Sequence, residues 1–361
     1  MSHLFSPVTL RGLTLPNRII VSSMCQYNAQ HGNANDWHLM HLGQFCMGAA
    51  ALVMTEATAV SATGRISQQC LGLYNDDNEQ ALQRVLEFCR EYGVTALGIQ
   101  LAHAGRKAST QRPLDGGKPL PAETAWPTVA PSALPYAPDW HTPQALDRAG
   151  LAQVKAEFVA SAERAARLGF EVAELHAGHG YLLHQFLSPL SNQRDDEYGG
   201  STANRCRYVL EVFAAVRAVW PQDKPCGIRV SASDWVEGGW SLAETVELAH
   251  ALQELGCDFM DVTSGGLDPQ QNIPVGPGYQ VPFAAEVKAK TGLHTWSVGM
   301  ITQPRQAEDI IASGQSDCVA LARAMMFNPR WAWQAALELG TETAYSPMYA
   351  RCKPSVWPGA K

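Results

Sequence analysis

Eight times along this chain a short apolar run gives way to a stretch with helical periodicity, and that count narrows the possible folds more than any other feature. The runs are Ile19 to Met24, Ala51 to Ala57, Ala96 to Leu101, Val172 to Ala177, Gly227 to Ala232, Phe259 to Ser264, His294 to Gly299 and Cys318 to Arg323. Between them the clearest helical pattern is Leu151 to Leu168, with apolar residues every three or four positions and Gly169 as its stop. Ser241 and Glu244 have the capping-box spacing of a second helix, and Pro304 and Pro329 suit first-turn positions. Strand then helix, eight times over, specifies an α/β fold: a single (β/α)8 TIM barrel. Strands buried on both faces explain why the runs are continuously apolar without alternation.

Two segments fall outside the rhythm. Val8 to Leu15, around Gly12, reads as a short N-terminal hairpin covering the barrel floor. Gly105 to Pro143, after the third strand, is rich in Pro, Gly and Thr and too long for an ordinary connection, which marks it as functional. There is no interdomain linker, so residues 1–361 are expected to form one domain, with 341–361 as a C-terminal tail.

Composition then removes several function classes. With 46% hydrophobic and 17% charged residues the chain has material for a large core and too few charges to be disordered. The net charge of −7, without a basic cluster, makes nucleic acid and anionic membrane surfaces poor partners. The start lacks a basic region followed by an apolar one, and no 18-residue apolar stretch occurs, so a cytoplasmic location is expected. Nine cysteines without a C-x-x-C pair argue against a disulfide framework, a zinc ribbon or an iron–sulfur cluster.

In a barrel of this kind chemistry gathers where strands end and their following loops begin. Those ends carry Ser22-Ser23-Met24-Cys25-Gln26-Tyr27, then Gln100 and His103, then His176, His179 and Tyr181, then Arg229, Gly299 and Ala322-Arg323. No lysine is found on or just after a strand in this reading, which argues against Schiff-base chemistry. His176 and His179 with Glu174 could hold zinc, or the histidines could be hydrogen-bonded barrel residues. No metal is expected, because a third ligand is not assured. Gly299 and Arg323 suit a phosphate, the first by close backbone approach and the second by its forked donor.

Several ordered motifs carry a resemblance across nearly the whole chain, from Leu4-Phe5 to Arg351. They are Asn17-Arg18-Ile19, Met24-Cys25-Gln26-Tyr27, Gly98 through Lys107, His176-Ala177-Gly178-His179-Gly180-Tyr181-Leu182, Phe186 through Asn192, Asp196 through Ser201, and Arg229-Val230-Ser231-Ala232. The chain resembles the old yellow enzymes, FMN-dependent ene-reductases, in their thermophilic-like and xenobiotic reductase branch.

The resemblance implies non-covalent FMN held by Ser22, Ser23, Met24, Cys25, Ala57, Gln100, Arg229, Gly299, Met300, Ala322 and Arg323, with Cys25 tuning its potential. Family members usually have Gly where this chain has Ala322. It also implies that Tyr27, His176 and His179 contact substrate, the histidines gripping a carbonyl or nitro oxygen while Tyr181 donates a proton. NADPH, or NADH, would reduce the flavin before an activated alkene enters the same site, giving ping-pong turnover. Arg351 would reach a neighbouring subunit's site in a homodimer or a tetramer of dimers. Two alternatives stay open: an FMN-dependent oxidase using dioxygen, and a flavin- or phenol-binding protein with little turnover.

Overall fold

The computed structural model describes residues 2–360. An antiparallel hairpin, β1 (Val8–Leu10) and β2 (Leu13–Leu15), comes first. It is followed by β3 (Ile19–Val21), β4 (Leu52–Ala59) and β5 (Ala96–Ala102), and then by a two-residue parallel pair, β6 (Val129–Ala130) and β7 (Gln144–Ala145), inside the long connection. The remaining strands are β8 (Val172–Ala177), β9 (Cys226–Ser231), β10 (Phe259–Thr263), β11 (His294–Ser297) and β12 (Cys318–Leu321). Strands β3, β4, β5, β8, β9, β10, β11 and β12 pair in parallel in that order, and β12 pairs back with β3, so the sheet closes as the eightfold pattern predicts.

Helices cover the outside: α1 (Asp36–Cys46), α2 (Asp76–Tyr92), α3 (Arg148–Arg167), α4 (Leu182–Leu187), α5 (Thr202–Val219), α6 (Leu242–Glu254), α7 (Val281–Thr291), α8 (Pro304–Ala312), α9 (Arg323–Phe327) and α10 (Trp331–Glu338). Local chemistry sets their ends. Asp147 accepts from the Gly150 amide at the start of α3, and Gly169 follows its end at φ +79°. Ser241 and Glu244 close both halves of a capping box on α6. Pro304 opens α8 as expected, but Pro329 lies outside α10, because Arg330 is the cap. The Pro329 carbonyl instead crowds the place where a side chain at Gly48 would stand. Among the described residues no helix is long and apolar enough to cross a membrane.

The apolar residues separate by strand parity. One set, including Ile19, Val21, Val53, Ile99, Ala173, Leu175, Ile228 and Val262, packs outward against the helices. The opposite set, including Ile20, Leu52, Met54, Val172, Phe259, Trp296, Cys318 and Ala320, fills the barrel together with Val8, Leu10 and Leu15 of the hairpin. The hairpin therefore plugs the floor. Phe259 and Trp296 stack with centroids 3.7 Å apart, and Gly227 makes the space: a Cβ there would stand 2.5 Å from the Phe259 ring. The register of β4 slips between Met54 and Ala57, which turns Ala57 alongside Gln100 of β5.

Candidate functional site

Above the apolar floor the inward positions become polar. On β8 the sequence Val172, Glu174, His176 climbs from floor to mouth by the two-residue period of a strand. At the middle level Gln100 Nε2 donates to Glu174 Oε1 at 2.7 Å. Arg229 Nε stands 3.0 Å from Asp261 Oδ2, a close ion pair bent away from straight hydrogen-bond geometry. Burial, and then the Asp261 carboxylate, push Glu174 up to about 8 against the pull of Arg229. Glu174 Oε2 and Asp261 Oδ1 are buried without hydrogen-bond partners among the described residues.

At the mouth, His176 Nε2 and His179 Nδ1 lie 3.2 Å apart, and His179 Nε2 lies 3.1 Å from Thr263 Oγ1. The Thr263 hydroxyl donates to Gln280 Oε1, so its oxygen accepts from the His179 N–H. His179 Nδ1 is then the acceptor for His176 Nε2–H. Burial, reinforced by the Arg229 cation, holds both imidazoles well below the usual histidine range, so both are neutral at pH 7. A substrate oxygen gains these donors by taking them from Thr263 or from the partner imidazole.

Tyr181 caps α4 with its ring 5.2 Å from that of His176, and burial raises its phenol well above 10. Tyr27, at φ +52°, and Cys25 are raised in the same direction by burial. Glu56 and Cys70 add to the rise of Cys25 while Tyr27 offsets part of it, and Cys70 shares a small cavity with Ala57, Ala102 and Tyr181.

A cavity of about 450 Å³ joins Ser22, His179 and Arg229 to Gly299, Met300, Ala322 and Arg323. Gly299 sits at φ +107°, and a Cβ there would stand 2.7 Å from Gln280 Nε2, so the backbone must be bare at that point. The hydroxyls of Ser22 and Ser23 are buried without hydrogen-bond partners among the described residues. Met24 packs half-buried against the core while its carbonyl accepts from the Gln26 side chain. Tyr279 and Gln280 also line the cavity, from the loop before α7, where no spacing pattern marks them.

One expectation is corrected. Lys107 does stand at the mouth, in a 3-10 turn (Gly105–Lys107) five residues past β5 that folds the ammonium back over the barrel. Its Nζ donates to the His179 and Gly266 carbonyls at 2.8 Å each and lies 5.2 Å from the Tyr181 ring centroid. Burial and Arg106 lower it to about 7. It escapes a search of strand ends because a turn, rather than a strand, aims it.

Sequence spacing also misses the support beneath this loop. His184 Nδ1 accepts from the Gly180 amide at 2.9 Å, and its Nε2 lies 2.9 Å from Asp234 Oδ1, close but bent. Asp234 Oδ2 accepts from Ser188 Oγ at 2.6 Å and from the Trp240 amide at 2.8 Å. Both partners of this pair are fully buried. They fasten His179, at φ +55°, and Tyr181 to the loop after β9.

Arg351 is exposed, in a 3-10 turn (Pro347–Cys352) of the tail, and lines neither mouth cavity. The tail packs on α10 through Tyr345 and Tyr349 against Trp333. Among the described residues no group of three His, Cys, Asp or Glu side chains is placed to hold a metal.

Comparison with known proteins bears on what such a mouth does. Residues 3–342 match the family described as NADH:flavin oxidoreductase / NADH oxidase. The chain is 42% identical to an NADPH dehydrogenase of Geobacillus sp. (strain WCH70) over 350 residues, 96% of this chain and 98% of that protein. Its fold is similar to that of morphinone reductase, with TM-score 0.79, 26% identity and coverage of 98% of this chain and 92% of the other. A 2-naphthoyl-CoA reductase in complex with 2-naphthoyl-CoA shares the fold with TM-score 0.84 at 21% identity, covering 94% of this chain; the chain spans about half of that longer protein (52%).

Proposed function

This chain belongs to the NADH:flavin oxidoreductase / NADH oxidase family, the old yellow enzymes, and from that premise we propose that it is an ene-reductase. It is an enzyme that works with FMN and a nicotinamide donor. The acceptor we assign is an activated C=C bond of an α,β-unsaturated carbonyl or nitro compound. The observation that carries this choice is the neutral His176–His179 pair beside a protonated, buried Tyr181 at one mouth.

The residues present fit FMN. Arg323 and the bare backbone at Gly299, with the neighbouring Met300 and with Ala322, suit its phosphate; the Ser22 hydroxyl at the same cavity and that of Ser23 next to it are buried without hydrogen-bond partners among the described residues. Gln100, Ala57 and Arg229 would hold the flavin ring, with Met24 and Cys25 along its other edge. When bound, FMN supplies a two-electron carrier between nicotinamide and alkene.

The chain's own part is polarisation and proton delivery. The His176 and His179 N–H groups draw charge onto the substrate's carbonyl or nitro oxygen, which makes its β-carbon electrophilic. Tyr181 keeps its proton at neutral pH because its phenol is raised, and it delivers that proton to the α-carbon. Tyr27 walls the pocket. One mouth with a plugged floor makes donor and alkene take turns, hence ping-pong turnover. Residues 1–361 act as one FMN-binding unit, in a cytoplasmic homodimer or tetramer of dimers whose tail, 341–361, brings Arg351 to a neighbour. Among possible donors NADPH is preferred here, following the name of the Geobacillus relative.

The test is anaerobic mixing of the FMN-loaded protein with NADPH and then with 2-cyclohexenone. NADPH bleaches the flavin and the enone restores its colour. Restoration by air alone, with enones inert, would refute the reading in favour of an oxidase.

A further inference from the structure

We propose that Glu174 is a proton-holding group one level below the flavin site, which takes up a proton when negative charge is added beside Arg229 and releases it when that charge leaves. The inference rests on the FMN reading above and adds to it a role for a residue placed at no reacting atom.

The geometry is a triad with too little positive charge. Glu174 is 1% exposed, with Oε1 held by the Gln100 amide and Oε2 unpartnered among the described residues. Two strands away, on the far side of β9, Asp261 is 2% exposed, with Oδ2 beside Arg229 and Oδ1 unpartnered among the described residues. One guanidinium cannot neutralise two buried carboxylates, so one of them favours the protonated form.

The charged and titratable groups that face Glu174 come from one side of it and from its own strand. They are Arg229 on β9, Asp261 on β10 and the neutral His176 on β8 itself; β5 contributes only the uncharged amide of Gln100, and the level below is the apolar Phe259–Trp296 layer. Arg229 prefers Asp261 by contact, which leaves Glu174 as the site that titrates near neutrality.

Arg229 also lines the cofactor cavity, so it is the shared partner of two anions. Hydride transfer from the nicotinamide moves two electrons and one proton to the flavin, which gains one net negative charge. The Arg229 cation then serves that charge and holds the Glu174 carboxylate less. The carboxylate takes a proton from solvent and becomes the acid, so charge balances within the barrel. On reoxidation the proton returns to solvent. Below the titration of Glu174 the protein therefore takes up one proton per two electrons, on the flavin; above it two, the second on Glu174.

The measurement is the midpoint potential of the FMN-loaded protein between about pH 6 and 10, with FMN affinity followed in parallel by fluorescence quenching. In the unmodified protein the pH slope of the potential doubles above roughly pH 8, while Glu174→Gln keeps a single slope. Because glutamine resembles the protonated acid, Glu174→Gln binds FMN within about threefold of the native protein near pH 7. A native slope that never changes, or the same break in Glu174→Gln, overturns the proposal. Should the variant fail to fold, a reduced-minus-oxidised infrared spectrum of the native protein at pH 9 decides. A gained protonated-carboxyl band supports the proposal and its absence overturns it. Failure to bind FMN at every pH would overturn the flavin reading itself, and this inference with it.

Discussion

Replacing Asp234 with asparagine removes one charge and almost no volume, so its cost can be worked from three contacts. One carboxylate oxygen lies 2.9 Å from His184 Nε2 in a bent contact, and the other accepts from Ser188 Oγ and the Trp240 amide. Asparagine has one acceptor oxygen. If it serves Ser188 and Trp240, its NH₂ faces the His184 N–H. His184 cannot escape by moving its proton, because Nδ1 must stay bare to accept from Gly180. Turning the amide around sets the NH₂ against two donors instead. Either way a buried donor goes unsatisfied, at about 1–3 kcal/mol, and charge-assisted bonds worth roughly 1.5–3 kcal/mol each are weakened. The total, about 4 kcal/mol, falls in the range for breaking a buried pair. At roughly 2.1 cal/mol/K per residue, 361 residues unfold with about 0.76 kcal/mol/K, so Tm falls by about 5 °C.

The pH dependence has a definite sign. His184, with the Ser188 and Trp240 donors, holds the Asp234 carboxyl below its usual value despite burial. Its stabilisation is therefore complete above the unfolded value near 4 and is lost as pH falls through the folded one. The native and Asp234→Asn melting curves, recorded by calorimetry, should stay apart down to about pH 4 and converge only below the depressed folded value. A variant melting within about 1 °C of native at pH 7 would refute the account of this pair.

Tyr181→Phe should slow enone reduction by about 10²–10⁴ while NADPH still reduces the flavin at a near-native rate; stopped-flow traces with equal losses in both halves would remove its role as proton donor. Phenol binding, followed by the flavin absorbance change, should carry no histidine step as pH falls from about 6.5 to 5.5, because both imidazoles are already neutral; weakening that His176→Ala abolishes in that window would show ordinary histidine titration. Cys25→Ser should move the FMN midpoint potential, and an unmoved potential would return Cys25 to a packing role. Gly227→Val should destabilise by about 1–3 kcal/mol through the Phe259 ring, against Gly276→Val, which enters open space among the described residues, as a control within about 0.5 kcal/mol; equal melting temperatures would contradict the packing argument.

Much of the barrel could be read in advance because both faces of each strand are buried. Val172 to Ala177 has the same limits in sequence and structure, every residue of β8 being buried. Where the expected strands ran long, at Met24, Gly299 and Arg323, regular pairing stops at Val21, Ser297 and Leu321. There the chain leaves the sheet to line the cavity, a departure that apolar character does not signal. The mouth residues were findable because a closed barrel gathers every strand end in one place. His184 and Asp234 were not, since they meet across 50 positions and neither lies on a strand. Lys107 was hidden by its turn, and Tyr279 and Gln280 by an irregular loop.

The seam of the barrel lies between its first and last strands: Ile19 pairs with Val319, and Ala320 with Ile20. During synthesis at roughly 5–20 residues per second, the first edge waits on the order of 15–60 s for its partner to leave the ribosome. Throughout that interval β3 presents bare amides and carbonyls along one side, the arrangement that invites pairing between nascent chains. Ribosome stalling before Cys318 should therefore yield aggregates rather than a slightly shortened enzyme, and the last βα unit sets when this chain becomes safe in a crowded cell.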